Sequence, residues 1–363
     1  MTSRILDLLY RLSYSTCTEC DYCAESCPWY PVFRPSERVK GIPEAVEHCT
    51  MCGKCVATCP LGVPVHKRVY DLRTKRGLLD EELLSIRKKS EEIGHSFGAK
   101  WEPVVRRLKF MGYPVDEPAE WLFVPSAFDS LPHSFNDLLA EVWLLMKLGY
   151  DFTLSSEVAE GYGNFIFDLA DPNYFKGKAL KILRIANELG VRGLIIGECG
   201  ADYKVWPRLH LYIGKRSRLK TLLLPKAIYE KLDKVKPLRR VPGKVAYHDP
   251  CGLSRYNFII KEPREILKKV CEDFVDRPPG GKLQICCGGG GGVSFSRRLT
   301  EDAIRIIGPK KVKQFNGVDL VVTSCAKCKS MLMSYSVRLR GGFRVQRLSY
   351  VVAWSMGLDG PKP

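Results

Sequence analysis

Cys17-Thr18-Glu19-Cys20-Asp21-Tyr22-Cys23-Ala24-Glu25-Ser26-Cys27-Pro28 and Cys49-Thr50-Met51-Cys52-Gly53-Lys54-Cys55-Val56-Ala57-Thr58-Cys59-Pro60 are two copies of one pattern, Cys-x2-Cys-x2-Cys-x3-Cys-Pro. Three thiolates at this short step wrap one corner of a [4Fe–4S] cubane. The fourth, set off by a longer step and a proline that turns the chain away, reaches the other cluster. The spacing therefore pairs Cys17, Cys20, Cys23 and Cys59 on one cubane, and Cys49, Cys52, Cys55 and Cys27 on a second. Zinc would use two separated Cys-x-x-Cys pairs and leave the third cysteine and the proline without a purpose. A disulfide framework would need a secreted chain.

Outward from these motifs, the rest of the chain reads as an ordinary globular protein. The 363 residues are 45% hydrophobic and 27% charged, enough for two or three domains with cores of their own. The opening Met1-Thr2-Ser3-Arg4 and the apolar run after it are too short and too charged for a secretory leader, and no stretch approaches 18 apolar residues. A protein that stays in the reducing compartment, with no transmembrane segment of its own, is expected. The formal charge is +17; two cubanes with their thiolates bring about −4, leaving roughly +13. That excess favours an acidic protein or the anionic inner face of a membrane. Nucleic acid is not expected, because no zinc finger, RNP-type aromatic motif or helix-turn-helix accompanies the charge.

Residues 1–100 read as a small helical ferredoxin-like domain. Ile5, Leu8, Leu9 and Leu12 recur at helical spacing, and Asp71 to Ile93 shows no strand-like alternation. The apolar face of the first helix suits packing or a membrane surface. After a linker with Pro103, Pro114 and Pro118, short β-rich runs alternate with helical segments. The runs are Trp121 to Val124, Gly193 to Ile196, Lys244 to Tyr247 and Asp319 to Thr323; Asn136 to Leu148 and Arg264 to Val270 read as helix. This alternation predicts parallel sheets covered by helices.

An internal repeat divides that region into 101–235 and 236–363. In the second half, Cys251, Cys286-Cys287-Gly288 and Cys325-x2-Cys328 are separated by 34 and 37 residues; in the first, Ser126, Ala159-Glu160-Gly161 and Cys199 are separated by 32 and 38, with Asp202 following. One copy keeps its cysteines and the other keeps only Cys199. The five cysteines of the second copy are expected just after strands or in turns, and so at the carboxyl edge of a sheet, where open α/β folds place ligands. Five thiolates are too many for one cubane or one zinc.

These residues resemble the CCG-domain proteins of the heterodisulfide reductase type, and the resemblance covers nearly the whole chain. It implies a dicluster ferredoxin domain followed by two CCG-type α/β repeats, the first degenerate. It also implies that Cys251, Cys286, Cys287, Cys325 and Cys328 hold a non-cubane [4Fe–4S] cluster that binds thiols and cleaves disulfides. Tyr247-His248-Asp249-Pro250-Cys251, Cys286-Cys287 with five following glycines, and Gly197-Glu198-Cys199-Gly200 look most like the branch of the K subunits of Dsr membrane complexes and the D subunits of Hdr-like menaquinol-oxidising enzymes. Ser126, Ala159, Glu160 and Asp202 depart from the two-site pattern, so a second non-cubane cluster is not expected.

For function, the resemblance implies a cytoplasmic subunit, peripheral on the inner face of the cell membrane. A membrane cytochrome b-type quinol-oxidising subunit would be the donor, and a small disulfide- or trisulfide-carrying protein of the DsrC type, or a heterodisulfide, the substrate. The rival is an iron–sulfur relay subunit of a flavin-dependent lactate, glycolate or glycerol-3-phosphate dehydrogenase. Around the five cysteines, Gly288 to Gly292 would let backbone amides approach cluster sulfurs or a bound thiolate, or would form a simple turn; the Gly-Lys-Ser/Thr of a phosphate loop is absent. His248 is a candidate proton shuttle or donor to the site, and Cys199 a candidate to face it across the pseudo-symmetric interface. Lys327, Lys329 and Arg255 are candidates to favour an anionic thiolate. Cys271, read as part of the Glu265 to Val270 helical stretch, is expected to be a small core residue.

Overall fold

The computed structural model describes residues 12–77 and 80–363. Ile5, Leu8 and Leu9 fall outside these residues; Leu12, inside them, is exposed. In the N-terminal part the cysteine motifs are carried mostly by turns, and short helices fill the space between: Pro35–Lys40, Pro43–Glu47 and Lys54–Thr58, followed by the longer Val65–Arg76 and Glu81–Ile93. Prolines at the first helical positions start two of them, where a missing N–H costs nothing. The segment read as helical from Asp71 to Ile93 is in fact broken: Gly77 ends one helix at φ +77°, and Asp80 caps the next by accepting from the backbone N–H groups of Glu82 and Leu83.

Two four-stranded sheets follow. The first holds β1 (Trp121–Val124), β2 (Phe152–Thr153), β3 (Gly193–Ile196) and β4 (Lys220–Leu223), in the order β2-β1-β3-β4. The second holds β5 (Val241–His248), β6 (Cys271–Val275), β7 (Leu320–Thr323) and β8 (Arg344–Arg347), in the order β6-β5-β7-β8. Every pairing is parallel. The central strands β3 and β7 are buried at all four positions, as apolar strands covered on both faces must be. Cys271 is a core residue, but it opens β6 and does not continue the preceding helix, Lys261–Val270. Burial pushes its thiol up to about 12, which leaves it inert.

In both sheets the chain goes to one side of its first strand and then returns to the other, so the crevice opens between β1 and β3 and between β5 and β7. Cys251 follows β5 and Cys325 follows β7, which puts them on the two lips of the second crevice.

The two sheet units are joined by apolar packing and by a buried charge network. The helices Phe135–Lys147 and Leu348–Ser355 share one core. Beside it, the fully buried Arg347 guanidinium pairs with Asp129, lies 3.1 Å from Asp137 and reaches Glu141 at 3.2 Å; Lys329 binds Asp137 at 2.7 Å. Removing the Arg347 charge leaves several carboxylates uncompensated. Arg347→Met is therefore expected to lower the unfolding free energy by about 3–5 kcal/mol, and by less at pH 5 than at pH 8, because acid neutralises the orphaned carboxyls. Denaturant titration at the two pH values checks this.

The N-terminal part is docked on the second sheet unit through a backbone contact. A Cβ built on Gly291 would lie 1.9 Å from the carbonyl oxygen of Cys49, and one on Gly290 would lie 2.6 Å from that of Thr50. Gly291 also sits at φ +66°, where other residues are strained. The buried Arg73 clamps the joint, donating to the carbonyl of Gly291 at 2.9 Å and to those of Val46, Glu47 and Cys49 at 2.8, 2.8 and 2.9 Å. Gly291→Ala is expected to cost about 1–3 kcal/mol or more through overpacking, seen as a lowered denaturation midpoint.

Candidate metal centres and the loop that joins them

The structure brings the four cysteines of the first group together. Cys17, Cys20 and Cys23 line one cavity together with Cys59 from the other motif. Burial, then Cys59, Cys17 and Cys20, push the Cys23 thiol up to about 11, the behaviour of thiols crowded where a cation is needed to hold their charge. Both motifs bend in the same way. Glu19 and Asp21, at φ +58° and +56°, flank Cys20; Met51 and Gly53, at +50° and +73°, flank Cys52. Left-handed residues on both sides of the middle cysteine wind the chain about a centre, and such strain gathers at functional sites.

In the second group, burial and the neighbouring Cys52, Cys49 and Cys27 push Cys55 well above the usual thiol range. Arg38, almost completely buried, donates from Nη1 to Cys27 Sγ at 3.2 Å and from Nε to the Ala45 carbonyl at 2.9 Å. Its Nη2 has no hydrogen-bond partner among the described residues. A buried, partly unpaired guanidinium among four cysteines fits a site that holds an anionic sulfur-rich group. Cys27, Cys49, Cys52 and Cys55 could hold that cubane, and Cys17, Cys20, Cys23 and Cys59 the other.

Cys251, Cys286, Cys287, Cys325 and Cys328 also converge. Cys328 and Cys287 lie 3.2 Å apart at sulfur, Cys286 is hydrogen-bonded to Cys251 and Cys287, and Cys325 to Cys328. Cys286, Cys287, Cys325 and Cys328 are buried, whereas Cys251 is partly open. Cys251 is held down to about 6, first by its hydrogen bond to Cys286, with Lys204 and Arg255 also favouring the thiolate against burial. His248 belongs to the group: one of its ring nitrogens, Cys287 Sγ and Cys328 Sγ lie within 4.8 Å of one another. Its Nδ1 faces two donors, Gln284 Nε2 at 3.1 Å and Lys311 Nζ at 3.0 Å, so the proton sits on Nε2 and is donated to Cys287. Burial, then Lys311, lower the His248 pKa to about 4, so the ring is neutral and orients the thiolate.

The five-cysteine site and the second four-cysteine group touch. Cys286 Sγ lies 3.7 Å from Thr50 Oγ1, and Cys286 interacts electrostatically with Cys52. The glycine run makes this possible. The Gly288 N–H points at Cys286 Sγ at 3.4 Å, as an amide approaching sulfur would, while Gly290 and Gly291 instead give the Cys49–Thr50 backbone room to lie against them.

Among the basic candidates, Arg255 stands where sequence placed it, near Cys52, Cys251 and Cys286. Lys329 does not: it turns to Asp137 and to Gln346 at 2.6 Å, because the inter-unit carboxylates outcompete the thiols for it. Lys327 pairs with Asp168. Arg38, Arg73, Lys204 and Lys311 escaped the sequence reading. All four are buried beside the cysteines or the joint, so part of the +17 charge serves the interior and not a surface. Their only signal in the sequence was the excess itself. Across the crevice, Cys199 is hydrogen-bonded to Asp202 and lies near Cys325; Ser126, Glu160, Cys199 and Asp202 line one small cavity.

Comparison with known proteins agrees with this arrangement. Residues 9–60 match a 4Fe-4S dicluster domain, and residues 245–333 match the cysteine-rich CCG domain. The chain thus matches a 4Fe-4S dicluster domain and a CCG domain, and it resembles iron–sulfur proteins of the heterodisulfide reductase type. More particularly, it is 21% identical to the D subunit of the dihydromethanophenazine:CoB–CoM heterodisulfide reductase of Methanosarcina acetivorans, over 96% of this chain and 95% of that one. It is 26% identical to the Hdr-like menaquinol oxidoreductase iron-sulfur subunit of Archaeoglobus profundus, over 77% of this chain and 61% of that one. An uncharacterised iron–sulfur protein of Methanocaldococcus jannaschii is 27% identical over 79% of this chain, which spans 56% of that relative's length.

The crossed pairing makes a test. Cys59→Ser, although in the second motif, is expected to disturb the centre built on Cys17, Cys20 and Cys23, and Cys27→Ser the one beside Cys286. Each should lose about four irons. Only Cys27→Ser should alter magnetic coupling to the five-cysteine centre, read by EPR.

Proposed function

We propose that this chain is the disulfide-cleaving iron–sulfur subunit of a membrane-associated, quinol-linked complex. The observation that carries the reading is the approach of the five-cysteine site to the second four-cysteine group, where Cys286 Sγ lies 3.7 Å from Thr50 Oγ1 and interacts electrostatically with Cys52. The names of the relatives supply the quinol and heterodisulfide chemistry. Residues 1–100 would be the dicluster domain, 101–235 a degenerate CCG repeat and 236–363 the CCG domain; the shared strand order of the two sheets supports a duplication. Cys251, Cys286, Cys287, Cys325 and Cys328 would hold a non-cubane [4Fe–4S] cluster. When bound, the clusters supply one-electron carriage and, at the five-cysteine site, iron that can take one sulfur of the split bond.

The residues around that site do the rest. Lys204 and Arg255 favour the Cys251 thiolate at its open edge, His248 fixes the Cys287 thiolate, and the buried cysteines keep water from the centre. Substrate enters past Cys251. None of the described helices is long and apolar enough to cross a membrane. On the cytoplasmic face, a separate membrane cytochrome b-type subunit would deliver electrons from quinol. A small protein of the DsrC type carrying a disulfide or trisulfide, or a heterodisulfide, would be the substrate.

Anaerobic iron counting with EPR of the oxidised, thiol-treated protein tests the reading. About 12 irons per chain, and a paramagnetic signal that appears only with thiol, are expected. About 8 irons and no such signal would instead mean a two-cubane relay subunit of a flavin-dependent dehydrogenase.

A further inference from the structure

Reducing a disulfide consumes two protons as well as two electrons, and the five-cysteine site is largely closed to water. The first sheet unit offers a route for the protons. Ser126 follows β1, Cys199 and Asp202 follow β3, and with Glu160 they line one cavity rimmed by the half-buried Phe295 and Lys327. Its volume, ≈ 20 Å³, excludes any organic substrate and has room for about one water molecule. Two carboxyls face it, each about 1% exposed and neither in an ion pair among the described residues. Glu160 accepts from the Ser96 amide at 2.6 Å and from the Ser96 hydroxyl at 2.8 Å; Asp202 accepts from the Gly163 amide at 2.7 Å and is bonded to the Cys199 thiol. The loop bearing Cys199 abuts the five-cysteine site, since a Cβ on Gly200 would stand 2.8 Å from Cys325 Sγ.

We propose that this cavity is the proton inlet of the five-cysteine site: Glu160 and Asp202 hold protons, and Cys199 passes them to sulfur released beside Cys325. The inference rests on the disulfide-cleaving reading. In the overall step R–S–S–R′ takes two electrons from the quinol-oxidising partner and two protons, the S–S bond breaks, and RSH and R′SH form. Each proton leaves Cys199 Sγ as Asp202 returns one to it. Asp202 is refilled from Glu160 across the cavity, and Glu160 from solvent at the Phe295 and Lys327 rim.

The concerted exchange keeps Cys199 a neutral thiol throughout, because Asp202 returns a proton as one leaves. Burial raises both carboxyls to about 7, so each holds a proton below neutrality and releases it as pH rises through that value. The charged and titratable groups facing them are each other, Cys199, Lys327, Lys178 and the hydroxyls of Tyr162 and Tyr174. Lys327 is tied to Asp168, and Lys178 lies over the rings of Tyr162 and Tyr174.

Glu160→Gln and Asp202→Asn in the full-length holoprotein test this, with iron content and cubane EPR showing that each variant is folded and loaded. Wild type is expected to lose disulfide-reducing kcat as pH rises through about 7. Each variant should fall about a hundredfold below it at pH 6.5, with KM unchanged and the pH dependence flattened. Infrared difference spectra on reduction should show a carboxylic-acid carbonyl band in wild type that Asp202→Asn or Glu160→Gln removes. Variants that keep the wild-type rate and pH profile overturn the inlet while leaving disulfide cleavage intact. If wild type cleaves no disulfide, that reading fails, and the infrared arm still decides: carboxyl bands unmoved by reduction overturn the inlet as well.

Discussion

The clamp of Arg73 on four carbonyls is the interaction on which the arrangement of the centres depends. One guanidinium, buried between the dicluster part and the CCG domain, ties Val46, Glu47 and Cys49 to Gly291. The clamp closes only because position 291 has no Cβ; with one, the Cys49 carbonyl would be pushed away. With the loops pressed together, Cys52 comes to Cys286 and the two kinds of centre become neighbours. Each link is local, and each is needed by the next: a left-handed glycine allows the approach, the buried guanidinium secures it, and the thiols meet as a result.

Charge inside the protein follows a consistent rule. Where cysteines gather, cations stand beside them: the buried Arg38 at Cys27, the buried Lys204 and half-buried Arg255 at Cys251, and the buried Lys311 behind His248. Where carboxylates gather between the sheet units, Arg347 and Lys329 stand beside those. The cavity of Ser126, Glu160, Cys199 and Asp202 is the exception: Lys327 on its rim is tied to Asp168, and neither Glu160 nor Asp202 is in an ion pair among the described residues. Unpaired buried carboxyls cost free energy unless they are protonated. Their persistence beside a site that, on the proposed function, consumes protons gives that cost a use.

Much of this was legible in the cysteine spacing. The crossed grouping of Cys59 with Cys17, Cys20 and Cys23 follows from the motif alone, because a fixed cluster geometry imposes a fixed sequence period. The strands were legible for a similar reason: buried parallel strands are short unbroken apolar runs, such as Gly193 to Ile196 and Leu320 to Thr323. The glycine run was read half correctly. Gly288 meets a cysteine sulfur, but Gly290 and Gly291 answer to a backbone more than 200 residues away in sequence, which no local pattern encodes. Arg38, Arg73, Lys204 and Lys311 were hidden for the same cause, since a lysine or arginine bound for the interior looks like one bound for the surface. Lys329 shows the converse: its neighbour Cys328 suggested a role at the thiols, and a carboxylate from the other sheet unit claimed it.

The most direct measurement is a single turnover of the pre-reduced holoprotein, freed of reductant and mixed anaerobically with a disulfide-carrying substrate, with rapid freezing for EPR and thiol counting. The account predicts that the reduced-cubane signal and the disulfide disappear together, at one rate, with two electrons lost for each disulfide cleaved. Cubanes that remain reduced in the presence of disulfide, or that reoxidise without thiol appearing, would contradict it.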